Sequence, residues 1–245
     1  PDYAVTGVQT CALPISFIDS VLLDNSLMSI KDTAEFDTNL NPESCANKFI
    51  TSLFSIERLI YFIRYGIAYV DSPRDGLHKH IIRYPQYFAA TALEEKLNQG
   101  MKRGIVWHTQ GSGKTALAFF MSNVLRDYFQ KKNIITKFYF VVDRLDLLHQ
   151  ASSEFSSRGM TIASINSKED FAENIKSPVI VAPSSSEGRY LETMNVVNIH
   201  KFSEDSTVDL KVDKKIQRIY FLDEVHRGYK PRGTFLANLL GADKN

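Results

Sequence analysis

The feature that most constrains this chain is the segment GIVWHTQGSGKTALAFFM at residues 104–121. It predicts a short buried strand over 104–107, a tight glycine-rich loop, and an apolar helix that opens at Lys114 and Thr115. Glycines let the loop backbone point several N–H groups into one hollow, and the positive end of the helix dipole faces the same hollow. The segment therefore predicts a binding site for a nucleoside triphosphate, whereas the alternative is a plain strand–turn–helix connection.

Individual loop residues have different predicted roles in binding a nucleoside triphosphate. Lys114 can reach the β- and γ-phosphates as a point charge, and the Thr115 hydroxyl can bind Mg²⁺. His108 stands where the general loop pattern has its first glycine. The residues predicted to contact ATP from this loop are His108, Thr109, Gln110, Gly111, Ser112, Gly113, Lys114 and Thr115.

Composition excludes several other classes of protein. The 245 residues carry a net charge of +1, so any contact with nucleic acid would need a local basic patch. Two cysteines, Cys11 and Cys45, are too few for a disulfide framework. No apolar run approaches the length of a membrane span, and no secretory signal pattern is present, so we expect a cytoplasmic protein without a membrane partner.

The second strong signal is RIYFLDEVHRGY at residues 218–229. An apolar strand over 219–222 leads directly into Asp223 and Glu224. Downstream of a phosphate-binding loop, the Asp of such a pair holds Mg²⁺ and the Glu polarises the attacking water. Surface carboxylates are the alternative interpretation, and the upstream loop favours the catalytic one.

Gln86 lies near the start of a predicted helix that runs from about Pro85 and ends near Gly100. Its amide offers one donor and one acceptor, which match the N6 and N7 edge of adenine. The alternative is an exposed residue of the first helical turn.

Periodicity places the remaining elements. Apolar residues recur at helical spacing between 42 and 70, and 71–79 is rich in turn residues. The run FYFVVD at 138–143 predicts a buried parallel strand. Further predicted elements are the P-loop helix to about residue 129, a helix in LDLLHQASSEF, strands at 161–165, 178–182 and 196–199, a helix in SKEDFAENI with Ser167 as N-cap, and a helix beginning in TFLANLLGADKN.

With HTQGSGKT and DEVH both present, the chain resembles the first motor lobe of superfamily two helicases and translocases. It is most similar to the R subunit of type I restriction–modification enzymes, on the blocks RYPQYFAA, GIVWHTQGSGKT, FYFVVDRLDLLHQ, NIHKF and FLDEVHRGY. The resemblance covers about residues 45–245. It implies an α/β fold: a P-loop NTPase, RecA-like lobe with a mostly parallel sheet flanked by helices, preceded by a helical linker.

The resemblance also implies roles for individual residues. Gln86 would contact adenine, and His226 would couple the ATP site to movement, with a structural histidine as the alternative. Lys114, Thr115, Asp223 and Glu224 would keep the phosphate, magnesium and water-activating roles given above. The residues that would face DNA are Arg144, Gln150 and Lys201. An ion pair within the lobe is the alternative for Arg144, and NIHKF departs from the family's TIQKF.

The sequence pattern and its resemblances also predict the organisation of the chain. Residues 1–16 resemble translated adapter sequence and are interpreted as a non-native tail. Residues 17–42 are expected to be the remnant of a preceding nuclease domain, 43–82 a helical linker, and 83–245 the first RecA-like lobe, truncated before its next motif. No nuclease constellation or second lobe is found in the sequence, so we expect this chain alone to bind ATP but to hydrolyse it slowly.

The sequence thus favours the ATP-binding motor lobe of a type I restriction endonuclease, which couples ATP hydrolysis to translocation of duplex DNA. The cofactors implied are ATP and Mg²⁺, and the partners are duplex DNA with the methylase and specificity subunits of a prokaryotic complex. One alternative is another superfamily two DNA or RNA helicase. An alternative of a different class is a non-catalytic nucleotide-binding or protein-docking module.

Overall fold

The computed structural model describes residues 56–108, 111–165, 167–177, 193–198 and 216–223. The predicted strand at 178–182, the helix in TFLANLLGADKN and the segments before residue 56 lie outside these ranges. The described chain forms two compact units, one with residues 56–68 and 79–107 and the other with 69–78 and 108 onwards. The predicted domain boundaries stay predictions.

Within the described residues, two helices and a hairpin come first: α1 (Ile56–Tyr65), β1 (Ile67–Ser72), β2 (Gly76–Ile81) and α2 (Tyr84–Asn98). Tyr87 of α2 makes edge-to-face contacts with Tyr61 and Phe62 of α1, with ring centroids 5.1 and 5.5 Å apart. The Arg58 guanidinium lies 4.9 Å from the centre of the Tyr87 ring. Aromatic and cation–π contacts therefore hold α1 against α2.

The hairpin corrects one expectation. Helical spacing was predicted to continue to residue 70, but the helix ends at Tyr65 and Ile67 begins a strand. At the junction, a Cβ added to Gly66 would lie 2.7 Å from Ile82 Cγ2, so only glycine fits there. The break predicted at 71–79 is the turn of this hairpin together with parts of both strands, because β2 resumes pairing at Gly76.

The second unit carries a four-stranded parallel sheet in the order β4-β5-β3-β6. Its elements are α3 (Lys114–Gln130), β3 (Ile135–Val142), α4 (Leu145–Ser156), β4 (Thr161–Ile165), α5 (Lys168–Lys176), β5 (Thr193–Asn198) and β6 (Ile216–Leu222). The helices predicted after the loop and after Arg144 are confirmed, as are the strands at 138–143 and 161–165. Ser167 caps α5 as predicted, since its Oγ accepts a hydrogen bond from Asp170 N at 3.0 Å.

Helices cover both faces of this sheet. Phe140 of β3 packs edge-to-face on Phe155 of α4, with centroids 5.1 Å apart, and Arg126 of α3 lies over Phe138. The alternate β3 residues Tyr139 and Val141 face α5 and form the buried core of that side. Because helices cover both faces of the sheet, β3 carries the continuous apolar run from which the sequence predicted it.

The prediction of a strand at residues 104–107 is wrong. Residues 101–108 have no regular secondary structure, and the side chains of Ile105 and Trp107 are 84% and 90% exposed. A strand exists only where a neighbouring edge supplies its hydrogen bonds, and this segment pairs with no strand in the described ranges. An apolar run this short carries no information about pairing.

A buried polar cluster lies where β3 and β6 begin. Lys137 is in register with Arg218 across the two strands, and both are about 95% buried. The Lys137 ammonium donates hydrogen bonds to the carbonyls of Asn174 and Ser177, at the end of α5. The Arg218 guanidinium donates to the Ile175 carbonyl at 3.1 Å. The negative end of the α5 dipole therefore faces two cations.

Candidate functional site

The phosphate loop lies at the carboxyl edge of the sheet, meaning the edge formed by the carboxyl ends of the parallel strands. Helix α3 is about 25 Å long and β3 about 26 Å. A reverse turn joins them, with Asn133 in the left-handed region at φ 57°. Because α3 runs back along β3, its first residue lies level with the last residue of the strand. The loop and the strand ends therefore share one side of the unit.

Two glycines give the loop its shape. Gly111 has φ 75° and Gly113 has φ 79°, in the left-handed region that other residues adopt only with strain. Gly113 is also the N-cap of α3, and as a glycine it has no side chain of its own to cap that end. The first hydrogen bond of the helix runs from Leu117 N to Gly113 O at 2.9 Å. A helix N-terminus that directly follows a glycine loop is an arrangement that binds anions well.

Two polar atoms of the loop are enclosed without a hydrogen-bond partner in the described part of the chain. They are Ser112 Oγ and His108 Nδ1. Desolvation by burial lowers the pKa of His108, and the positive charge of Lys114 lowers it further. A neutral His108 follows at neutral pH. Buried polar atoms without partners are rare, and they point to a ligand that would supply them.

Lys114 and Thr115, the phosphate- and magnesium-binding residues predicted from the loop, form the first turn of α3, and both side chains are half-buried. Thr109 and Gln110 lie outside the described residues. The structure thus places six of the eight predicted loop residues in and directly before the first turn of one helix.

Asp223 follows β6 at the same edge. Its backbone N–H donates to the Val141 carbonyl at 3.0 Å, which keeps Asp223 paired to the neighbouring strand. The register of β3 with β6 places Asp223 level with Val142. Glu224 and His226 lie outside the described residues, so their predicted roles in activating water and in coupling stay predictions.

The oxygen donors at this edge fit a hard cation. Thr115 offers a hydroxyl and Asp223 a carboxylate, the ligand types that Mg²⁺ prefers. Within the described ranges no three His, Cys, Asp or Glu side chains group together. Mg²⁺ held by these two residues would therefore also need phosphate oxygens, as it does in its complex with a nucleoside triphosphate.

Gln86 belongs to the other compact unit, and it is not the exposed residue of the alternative interpretation. Its side chain is 2% exposed, and Oε1 accepts a hydrogen bond from the Arg83 backbone N–H at 2.9 Å. Gln86 is thus the N3 residue that closes the first turn of α2. An acceptor already used in this way has one lone pair left for an adenine amino group.

Two of the three residues predicted to face DNA, Arg144 and Gln150, follow β3. Arg144 and Gln150 are both exposed, and Lys201 lies outside the described residues. Arg144 Nη1 is 3.9 Å from Asp146 Oδ2, with both side chains more than half exposed. This ion pair is long and solvated, so it contributes little to stability and leaves the guanidinium accessible.

Asp143 is the residue at this edge that sequence reasoning did not assign to the nucleotide site. It is 6% exposed, and its Oδ1 receives no hydrogen bond from any described residue. The available signal was its position directly after a buried parallel strand, where active-site residues of α/β sheets collect.

The parallel sheet with flanking helices and the glycine loop at its carboxyl edge define an α/β ATPase lobe of the RecA-like class. The chain belongs to the SWI2/SNF2 ATPase family, whose profile matches residues 85–240. Members of that family use ATP. No helix within the described part is both long and apolar enough to cross a membrane.

Individual relatives show which kind of protein within this family the chain resembles. The chain is 41% identical over 106 residues to a Methanocaldococcus jannaschii protein provisionally named the endonuclease subunit of the type I restriction enzyme MjaVIIP, an alignment that covers 40% of this chain and 10% of that protein. A second protein of that organism, provisionally named the MjaVIIIP endonuclease subunit, is 29% identical over 208 residues, or 77% of this chain and 20% of its own length.

A Staphylococcus saprophyticus relative, the SsaAORF53P type I restriction enzyme endonuclease subunit, is 29% identical over 147 residues, or 58% of this chain and 14% of its own. The chain therefore spans between a tenth and a fifth of the length of these relatives. No solved structure matches significantly. The resemblance inferred from the motif blocks is confirmed at the level of family and of partial similarity to type I restriction endonuclease subunits.

Proposed function

We propose that this chain is the ATP-binding motor lobe of a type I restriction endonuclease subunit, and that it couples ATP hydrolysis to movement along duplex DNA. The observation that carries the proposal is the N-terminus of α3 directly behind two left-handed glycines, level with Asp223 at the carboxyl edge. The similarity to restriction endonuclease subunits supports the choice of motor and of substrate.

In this proposal the protein acts by positioning and electrostatics. Loop N–H groups and Lys114 bind the triphosphate and neutralise charge that develops during transfer. Thr115 and Asp223 would hold Mg²⁺, which when bound supplies further neutralisation of the phosphate oxygens. Glu224 orients the attacking water, and Gln86 contacts the adenine edge.

Nucleotide binding is tested by calorimetric titration of Mg·ATP and Mg·GTP into the chain. We expect Lys114→Ala to weaken Mg·ATP at least ~100-fold, equivalent to ~2.7 kcal/mol. The matched control is Lys131→Ala, because Lys131 lies just past the opposite end of α3 and forms an ion pair with Asp127 at 2.9 Å on the surface. Equal affinity in the two variants would exclude a phosphate site at the loop.

The adenine role is tested in the same titrations with Gln86→Ala and Gln86→Glu. We expect both to reduce the preference for ATP over GTP, while the second keeps Oε1-type acceptors for the Arg83 N–H. A preference that survives both changes would leave Gln86 as a capping residue alone.

A second experiment separates a DNA motor from the other candidate functions. Duplex DNA should bind with an affinity that falls steeply with salt, and Arg144→Ala should lower that slope by about one phosphate contact. Arg74→Ala on the exposed hairpin turn is the control. A binding module without motor function predicts ATP affinity and no salt-dependent DNA affinity, whereas preference for single strands or RNA would favour another superfamily two helicase.

A further inference from the structure

His108 lies in different surroundings from the other histidines that the structure describes. His78, His80 and His149 are exposed, whereas His108 is half-buried and its Nδ1 is enclosed without a hydrogen-bond partner among the described residues. The chain places this ring at the start of the glycine loop, at the position where the general loop pattern has its first glycine. A titratable group therefore occupies a position of the loop that needs no side chain to bind phosphate.

The surroundings of His108 disfavour its charged form for two reasons. Burial is the larger cause, and the positive charge of Lys114 is the second, so the pKa lies below its usual value of 6.5. Asp223, the described carboxylate at this edge, does not contribute to the shift, and the loop side chains between His108 and Lys114 carry no charge. His108 is thus within electrostatic reach of the lysine that is proposed to meet the phosphates.

A nucleotide bound at Lys114 reverses the sign of the field at His108. Even with Mg²⁺ bound, ATP carries more negative charge than the one positive charge of Lys114 offsets. A cation near the ring favours neutral imidazole, whereas a net negative charge in the same place favours the imidazolium. The reversal follows from the electrostatic coupling of His108 to Lys114 and does not depend on which ring atom faces the phosphates.

We propose that His108 binds a proton when ATP binds, and that it thereby favours the triphosphate over the less highly charged diphosphate. The proton comes from solvent and goes to an imidazole nitrogen, and no covalent bond to the nucleotide forms. The inference rests on the proposed function, because it needs a nucleotide at the loop. The pKa of His108 is then higher in the bound chain than in the free chain, so affinity for ATP rises as pH falls through the interval between the two values.

The first test measures proton uptake by calorimetric titration of Mg·ATP into the whole chain near pH 6.5, in two buffers of different ionisation enthalpy, MES and bis-tris. We expect the parent to take up roughly half a proton per ATP more than His108→Gln, and less with ADP. Comparison with the variant removes the contribution of the protonation of ATP itself. His149→Gln, which changes an exposed histidine of α4, is the control and should match the parent.

The same titrations at several pH values give the affinity. Relative to His108→Gln, the parent should bind Mg·ATP ~3-fold more tightly at pH 6.0 than at pH 7.5. Proton uptake that His108→Gln leaves unchanged belongs to another group and overturns the proposal, as does equal uptake with ATP and ADP. If His108→Gln does not fold, the NMR titration of His108 in the parent with and without ATP decides, and an unchanged pKa overturns the proposal.

The second test needs no nucleotide, so it separates this inference from the proposed function. In the free chain, Lys114→Ala should raise the pKa of His108 seen by NMR, because one nearby positive charge is gone, whereas Lys131→Ala at the far end of α3 should leave it unchanged. A pKa that Lys114→Ala does not move overturns the inference alone. A parent that binds ATP without proton uptake does the same, and a parent that does not bind ATP defeats both proposals.

Discussion

The two edges of the sheet differ in the hydrogen bonds made by their buried polar groups. The amino edge is the one formed by the amino ends of the parallel strands. At the amino edge, Lys137 and Arg218 are buried as neighbours, and carbonyl groups at the end of α5 accept hydrogen bonds from both. At the carboxyl edge, Asp143 Oδ1, Ser112 Oγ and His108 Nδ1 are enclosed without described partners. At the amino edge the protein supplies carbonyl acceptors to both cations, whereas at the carboxyl edge no described residue supplies a hydrogen-bond partner to these three atoms.

This difference separates structural polar groups from functional ones. Tyr139 OH, Asn174 and Asn195 join the amino-edge cluster through hydrogen bonds of 2.9 Å, and Asn195 Nδ2 donates to the Phe138 carbonyl at 2.8 Å. A satisfied network of this kind fixes strand register and stability. Substitutions at the amino edge should therefore change stability and leave nucleotide binding intact, whereas those at the carboxyl edge should change nucleotide binding, with or without an effect on stability.

The largest expected effect on stability is at Asn195. Asn195→Ala removes the acceptor of Asn174 Nδ2 and the side-chain donor to the Phe138 carbonyl, which should reduce the free energy of unfolding by about 2–3 kcal/mol. Urea denaturation of parent and variant measures it. Gln217→Ala, half-buried on β6 with one local hydrogen bond, is the control and should cost under about 0.5 kcal/mol. A loss of ATP affinity larger than the loss of stability would contradict the assignment of this edge to structure.

The next largest expected effect is the pH dependence of stability that Lys137 causes. Desolvation, with Arg218 adding to it, lowers the pKa of Lys137 from 10.5 to about 8. Between those values the unfolded chain holds the proton more tightly, so the stability of the parent rises with pH relative to a variant without the amine. We expect the free energy of unfolding of the parent, relative to that of Lys137→Met, to increase by about 1–2 kcal/mol between pH 8 and 9.5. A flat difference across that interval would mean that Lys137 is not desolvated.

Two glycines allow the cost of backbone strain to be compared at two places in the chain. Gly111 and Gly159 have φ of 75° and 80°, and a Cβ added to either meets no atom within 4 Å. Gly111→Ala and Gly159→Ala should each cost about 1–2 kcal/mol of stability through backbone strain. Only Gly111→Ala should also weaken Mg·ATP, since only that loop is proposed to bind phosphate. Equal ATP affinity in both variants would remove Gly111 from the site.

The smallest effect concerns His108. Desolvation lowers its pKa in the folded chain, with Lys114 adding to the effect, so the folded state favours neutral imidazole. Its contribution to stability is present above the unfolded pKa of ~6.5 and is lost as pH falls through the lowered folded value. Relative to His108→Gln, the parent should lose stability from pH 7 to 5.5, and bound ATP should raise the pKa of His108 seen by NMR. An unchanged pKa with ATP would place the phosphates away from His108.

Several elements could be predicted from local sequence because their causes are local. The apolar run FYFVVD predicts β3, the Ser167 hydroxyl predicts the start of α5, and glycines at 111 and 113 predict the loop. Gln86 shows the limit: the sequence offered an adenine contact or an exposed position, and the structure shows a buried residue bonded to the Arg83 N–H. The predicted strand at 104–107 failed because pairing depends on a distant edge.

The sequence by itself determined the type of most described elements, the glycine loop at the start of α3, and the family to which the chain belongs. Only the tertiary structure decided the strand order β4-β5-β3-β6, the pairing of Lys137 with Arg218, and the burial of Asp143 beyond the reach of a described partner. Helix caps and positive φ angles arise from interactions within a few residues. Strand neighbours and the burial of a charge depend on contacts between residues tens of positions apart, which local periodicity does not encode.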